Sequence, residues 1–200
     1  MTFLTNDAVL FSSKDDAWRT PPHVFDYFNK IYKFNVDAAC TTENALCSTH
    51  ITKEQDALTQ CWSDYGNRVF LNPPYSRKWI GQFMHKAKSS ACVWMKKHRA
   101  KKNPDPLEYY LVGALVYART DTSWWHDTVM NGASEVWLLR GRLHFNKSDG
   151  SGKSSAAPAP SVFVIWRTND HLRNPEMPVY PPVFKSIDLR TPSPKQLKLF

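Results

Sequence analysis

The chain has 200 residues and a mass of 23.1 kDa, which fits one domain or one domain with a small appendage. With 42% hydrophobic and 22% charged residues it is not a wholly disordered chain. No apolar run approaches the roughly 18 residues that a membrane span needs, and the opening MTFLTNDAVLFSSKDD lacks a basic leader. A cytoplasmic protein with no membrane partner is expected.

The elements alternate along the chain. Residues 1–17 read as an N-terminal arm. Residues 23–31 (HVFDYFNKI) carry apolar side chains at 24, 25, 28 and 31, the spacing of a helix with Pro22 near its start. Residues 33–39 (KFNVDAA) read as a short strand ending in an acid, and residues 42–48 as one or two helical turns. RVFL at 68–71 reads as a buried strand that stops at a proline pair. A helix is expected over 79–88, extended through a basic run toward Pro104. Residues 111–118 (LVGALVYA) form a hydrophobic strand and 124–131 a helix. EVWLL at 135–139 and SVFVIW at 161–166 are strands on either side of residues 147–160, whose low-complexity composition reads as a mobile loop. From Pro175 onward Pro-rich turns replace periodicity, so 175–200 is expected to be an extended tail outside a domain at 18–174. The pattern predicts an α/β layered sheet ending in a hairpin-like, antiparallel strand pair.

The charge is uneven. The 26 Lys and Arg against 18 Asp and Glu give a net +8, and from 65 to 103 there are ten basic residues and no acid. Such a run is either a solvated helix face or a phosphate-facing surface; its segment 77–103 holds Arg77, Lys78, Lys96, Lys97 and Arg99. The cysteines Cys40, Cys47, Cys61 and Cys92 form no C-x-x-C pair and the histidines no ligand-spaced cluster, so reduced thiols and no metal site are expected.

Asn72-Pro-Pro-Tyr75 follows directly on the strand RVFL, and ligands of open α/β sheets sit at the carboxyl ends of strands. Two prolines stiffen the backbone and remove two N–H donors. The Asn72 side-chain oxygen and the Pro73 carbonyl can then both face one ligand amine as acceptors. Tyr75 offers an aromatic face to a planar base. The competing reading is a tight proline turn that merely closes a strand.

The chain resembles the phage-type DNA adenine methylase family from Trp18 to about Trp166. The resemblance rests on Trp18-Arg-Thr-Pro21, Phe34-Asn-Val-Asp37-Ala-Ala, Asn44-Ala-Leu-Cys47, Asp56-Ala-Leu58 with Trp62, Leu71-Asn-Pro-Pro-Tyr-Ser76, Arg119-Thr-Asp-Thr122 with Trp124-Trp125, and Gly141-Arg-Leu-His-Phe145. It implies a trimmed Rossmann-like methyltransferase sheet with helices on both faces, and site-specific methyl transfer from S-adenosylmethionine to the exocyclic amine of adenine in double-stranded DNA. Asn72, Pro73, Pro74 and Tyr75 would hold the extruded adenine. Thr20, Pro21, Asp37, Ala38, Ala39, Asp56 and Asn72 would line the cofactor site, with Glu43 or Glu54 toward the ribose. The basic segment together with Arg119, Trp124, Arg140 and Arg142 would meet DNA. Helix capping or turn roles compete for Thr20, Asp37 and Asp56, core packing for Trp124 and Trp125, and surface ion pairing for Arg140 and Arg142. One departure stands out: the loop Asp37-Ala-Ala-Cys-Thr-Thr-Glu43 lacks the glycines usual in that family's cofactor loop.

Gln196-Leu-Lys-Leu-Phe200 resembles the pentapeptide by which bacterial replication and repair proteins dock on the sliding clamp, with Gln196, Leu197, Leu199 and Phe200 as its anchors; a tail folded on its own enzyme is the competing reading. Two rival functions share the main features. Protein glutamine methyltransferases also use N-P-P-Y around a planar amide, but keep the glycine-rich loop. A DNA- and clamp-binding module on a degenerate scaffold would need no cofactor.

Overall fold

The computed structural model describes residues 19–98, 109–146, 154–168 and 181–189. Its first helix, α1 (Pro22–Tyr32), opens with proline at its start and buries Val24, Phe25, Phe28 and Tyr32 along one face. Lys33 ends it in the left-handed region at φ 55°, its N–H returning to the Asn29 carbonyl. The strand that follows is therefore shorter than predicted: β1 spans Val36–Cys40.

Residues 42–48 are turns and bends, not the expected helical turns. Side chains take the N–H groups that a helix would use: Thr41 donates to Asn44 Oδ1 (2.7 Å) and Leu46 to Asp37 Oδ2 (3.0 Å). A strand absent from the sequence reading, β2 (Thr49–Thr52), comes next, then 3₁₀ turns at Lys53–Gln55 and Trp62–Asp64. β3 (Arg68–Leu71) stops at the proline pair, as predicted. α2 (Ile80–His98) runs into the basic segment, and β4 spans Leu111–Tyr117. The predicted helix near 124–131 is π-helical over Trp125–Met130.

β5 (Glu135–Leu139), β8 (Ser161–Arg167) and β9 (Val183–Ile187) complete a sheet in the order β2-β1-β3-β4-β8-β5-β9, while β6 (His144–Asn146) and β7 (Ser154–Ala156) make a separate hairpin. β8 is antiparallel to both its neighbours, β4 and β5; the other pairings are parallel. Two expectations are corrected. Residues 154–156 of the supposed loop pair with β6, held further by Ala157 N–H on the Leu143 carbonyl (2.7 Å). Val183–Ile187, placed in a tail, is the edge strand beside β5, because its backbone exchanges bonds with Ser134 and Arg140 at either end.

Side chains alternate between two cores, one on each face of the sheet. Val36, Val69, Val112, Ala114, Val116, Val162 and Val164 pack against α2 residues Phe83, Met84 and Ala87. Phe70, Leu111, Leu115, Phe163 and Ile165 pack against Phe25 and Phe28 of α1. β4 is buried throughout, as expected for a strand covered on both faces. Gly113 lies under the rings of Phe34 and Phe163: a Cβ there would come within 2.6 Å of Phe34 and 2.9 Å of Phe163.

At the edge where these parallel strands begin, Glu135 (8% exposed) accepts from Tyr32 Oη (2.8 Å), Trp137 Nε1 (3.1 Å), Lys185 Nζ (2.7 Å) and the Arg167 guanidinium. Burial alone pushes its carboxyl up, but the hydrogen bonds from Lys185 and Tyr32 and the Arg167 charge outweigh it and hold it below the ordinary range. This network joins α1, β5, β8 and β9. It also marks the end of the sheet opposite the candidate site.

Candidate functional site

Sheet order reverses between β1 and β3: the chain goes outward from β1 to β2, then crosses back to β3 on the other side. At such a switch point the loops leaving the two strands part, and a crevice opens outside their carboxyl ends. The register Val36↔Val69 and Asp37↔Phe70 sets Asp37 and its loop beside the residues that lead into Asn72. Because α1 ends near Glu135 at the far edge, its Thr20-Pro21 start, about 16 Å away along an 11-residue helix, lies toward the same crevice. Both residues are buried.

Asn72 is half-buried and Pro73 buried. The Tyr75 hydroxyl is the donor toward Asn72 Oδ1 (2.8 Å) and the main-chain carbonyl of Leu115 (3.0 Å), between which its one hydrogen is shared. One face of the Tyr75 ring stacks on Tyr117 at 4.1 Å between centroids, and Phe145 meets it edge-on at 6.3 Å. Burial pushes both phenols up, Tyr117 to about 12. The Tyr117 hydroxyl is buried with no hydrogen-bond partner among the described residues. Tyr117 escaped the sequence reading, although its place at the carboxyl end of β4, next to β3, is the signal that identifies it.

Asp37 is 2% exposed, and its carboxylate accepts the N–H of Ala39 (3.4 Å) and of Leu46 (3.0 Å). Burial raises its pKa, and those two N–H groups work against the rise. Here the carboxylate staples the glycine-free loop. β1 and β2 shift register between Asp37 and Cys40, so an irregularity in the strand stands where the family resemblance would place a glycine-rich loop. The left-handed conformation is taken by Asp56 instead, at φ 54°, with Oδ1 accepting the Leu58 N–H (3.1 Å). Asp56 is exposed. Glu43 and Glu54, also exposed, lie close enough for the Glu43 charge to bear on Glu54; a hydrogen bond from the Thr41 side chain, with the Arg19 charge as a lesser cause, holds Glu43 down. Cys40 and Cys47 border Asp37, and burial with that neighbouring charge pushes both thiols up to about 12.

Arg119 follows Tyr117 by two residues and pairs with Asp121 at 3.7 Å. Trp124 does not reach a ligand surface: it is 8% exposed, in the α2-side core against Trp125 and the start of α2 near Gly81. The reading of Trp124 as a DNA contact is corrected, because its ring is needed to fill that core. Arg77 and Lys78 are exposed, with Lys78 Nζ over the Trp79 ring at 4.3 Å. Arg140 pairs with Asp188 at 3.9 Å, and Arg142 donates to the Ala157 carbonyl at 3.3 Å. Lys96 and Lys97 belong to α2, while Arg99 and the tail residues Gln196, Leu197, Leu199 and Phe200 lie outside the described residues. Among the described residues no three His, Cys, Asp or Glu side chains could hold a metal ion, and no helix is long and apolar enough to cross a membrane.

A mixed sheet with one reversed strand, helices on both faces and an acceptor-rich proline turn at its switch point defines a methyltransferase-like α/β protein. A family model described as DNA N-6-adenine-methyltransferase (Dam) matches residues 8–183, and the chain belongs to that family. It is 30% identical over 124 residues, 62% of its length, to the "DNA N-6-adenine-methyltransferase" of Escherichia phage T1. That match covers 44% of the phage T1 protein, so the chain spans less than half of that relative. It is also 35% identical over 65 residues to the "Putative methyltransferase YfdM" of Escherichia coli (strain K12), covering 30% of this chain and 71% of YfdM.

Proposed function

We propose that this protein transfers a methyl group from S-adenosylmethionine to the exocyclic amine of adenine at specific sites in double-stranded DNA, in the cytoplasm of a bacterial host. The observation that carries the reading is that Asn72 and two prolines without N–H donors follow β3 directly at the switch point, where the Asn72 amide and the Pro73 carbonyl would serve as acceptors. An exocyclic amine donating to both acceptors withdraws from conjugation with the purine ring and exposes a lone pair. Transfer then needs positioning more than a strong base, since the amine becomes acidic only after methylation and its proton can leave to water. Extrusion of the base costs a few kcal/mol. Stacking offsets that cost, on the face of Tyr75 that Tyr117 does not cover.

The donor set fits the cofactor. Exposed acceptor-only groups, Glu43, Glu54 and Asp56, gather beyond β1 and β2, where a ligand carrying ribose hydroxyls, an adenine amine and positive charge would be held. When bound, S-adenosylmethionine supplies an electrophilic methyl on a cationic sulfur that leaves as a neutral thioether. Thr20, Pro21, Ala38 and Ala39 would wall that side, and Asp37 would hold the loop in shape. Arg77, Lys78, Arg119, Arg140 and Arg142, with Lys96, Lys97 and Arg99, would supply phosphate contacts whose affinity falls steeply with salt.

Label transfer from S-adenosylmethionine to DNA of defined sequence, followed by methylation-sensitive digestion, tests the reading. Asn72→Ala is expected to abolish transfer while the protein stays folded; wild-type turnover in that variant refutes the assignment. Clamp docking by residues 196–200 is a separate proposal carried by the sequence alone. Deleting them should remove co-elution with a bacterial sliding clamp and spare methylation, and unchanged co-elution rejects it.

A further inference from the structure

Tyr75 leaves a turn whose main chain has little to tie it to the strand alongside. Residues 73 and 74 are prolines and offer no N–H to β4. The orientation of the ring therefore depends on its side-chain contacts. Its hydroxyl donates toward Asn72 Oδ1 and the Leu115 carbonyl, at 2.8 and 3.0 Å. A phenol oxygen lies on the axis about which its own ring turns, and that torsion is soft. These bonds thus place the tip of the ring and leave its plane to be set by something else. A flat neighbour is present: Tyr117 stacks on one face at 4.1 Å between centroids and 20° between planes. Phe145 meets the edge at 6.3 Å, and no other ring lies against Tyr75 among the described residues.

Tyr117 stands on firm ground. β4 runs between β3 and β8, and Tyr117 itself pairs with Ser161. The next two N–H groups are used at once: Ala118 donates to the Pro160 carbonyl and Arg119 to that of Tyr117, each at 2.8 Å. Continuing the register Leu71↔Ala114 by three residues sets Tyr117 level with Pro74, one residue from Tyr75. The Tyr117 side chain is 9% exposed, and its hydroxyl has no hydrogen-bond partner among the described residues. Only the face of its ring engages Tyr75. We propose that Tyr117 is a positioning residue: a rigid backing plate that sets the plane of Tyr75, so that the opposite face meets an extruded adenine already aligned. A reacting group must be held within about 10–20° of its productive geometry by neighbours that are themselves locked. The purpose rests on the methyl-transfer reading above, but the ring-on-ring arrangement exists in the free protein.

Three measurements test this. In NMR spectra of free, tyrosine-labelled protein, the ring protons of Tyr75 and Tyr117, each identified by loss of its signals in the phenylalanine variant, should be in contact. The Tyr75 ring should flip faster in Tyr117→Leu, which keeps bulk but removes the flat face, and at the wild-type rate in Tyr117→Phe. In kinetics, Tyr117→Leu should lower kcat about tenfold, the upper end of what an aromatic pair contributes, with KM for S-adenosylmethionine changed less than about twofold. Tyr117→Phe restores the ring without the hydroxyl and should recover most of kcat. Tyr117→Met makes the same test with a more pliant side chain should the leucine variant not fold. In binding, Tyr117→Leu should weaken affinity about fivefold for a duplex with adenine at the target position, and less than twofold once that base is removed to leave an abasic sugar. A merely structural role would weaken both duplexes alike. Absence of the ring contact in the wild type, unchanged kcat in Tyr117→Leu, a Tyr117→Phe as slow as the leucine variant, or equal losses on the two duplexes overturns the inference. Wild-type protein that transfers no methyl to DNA overturns the function instead, and the NMR result stands apart from it.

Discussion

Replacing Glu135 with glutamine removes one negative charge from a node that two cations and two neutral donors share. Taking one partner from a fully buried ion pair costs about 3–5 kcal/mol. Here the side chains of Arg167 and Lys185 stay 33% and 40% exposed and regain some hydration, and the glutamine oxygen still accepts one bond. The expected loss at about pH 7 is therefore about 2–3 kcal/mol, or roughly 5–10 °C in Tm for a chain of this size. The carboxyl is held below its ordinary value in the folded state. Its contribution is complete above the unfolded pKa, and it disappears as pH falls through the lower folded value. Urea unfolding of both forms at a series of pH values reads this directly. The wild type should lead by the full amount near neutrality, and the two curves should converge as the pH falls below the ordinary carboxylate range, with an unchanged m-value. A gap that does not narrow as acid is added, or no gap at neutrality, refutes the account of the node.

Gly113→Ala inserts a methyl 2.6 Å from Phe34 and 2.9 Å from Phe163. It should cost about 1–3 kcal/mol in urea unfolding, and Phe34→Leu in the same chain should recover part of the loss. Tyr117→Phe deletes a buried hydroxyl that has no partner among the described residues, so calorimetry should find the variant more stable by about 1 kcal/mol; a destabilised variant would mean that the hydroxyl is bonded. Asp37→Ala frees the N–H groups of Ala39 and Leu46. It should destabilise the fold by about 1–3 kcal/mol and weaken S-adenosylmethionine binding in titration calorimetry more than DNA binding in gel shifts.

What could be read from the chain follows from how local each signal is. α1 was visible because Val24, Phe25 and Phe28 sit at helical spacing behind a proline, and β3 because RVFL ends where two prolines forbid more ladder. β2 was not, since THIT is short and three of its four residues are half-buried. β9 was hidden by the prolines around it; VFKSI has two exposed apolar residues, Val183 and Phe184, and its strand exists only because β5 offers an open edge. The loop after β1 looked helical because the competing acceptor, Asp37, is nine residues from Leu46. At the site, Asn72 and Tyr75 were legible as a motif. Tyr75's bond to Leu115 spans 40 residues and follows from strand register, which no local pattern carries. Sequence leaves Trp124 open between DNA contact and core packing because paired tryptophans look alike whether they line a cleft or fill an interior, and its burial favours the second.

The direction of β9 sets which edge of the sheet its carboxyl end reaches. β9 points the same way as β5, and β5 the same way as β4, so residue 189 emerges on the side where Asn72 sits. Four inter-strand steps separate β3 from β9, a lateral offset of about 19 Å at 4.8 Å per step. The carboxyl end of β9 therefore shares an edge of the sheet with the proline turn, so a label attached at residue 189 would report on whatever approaches that turn.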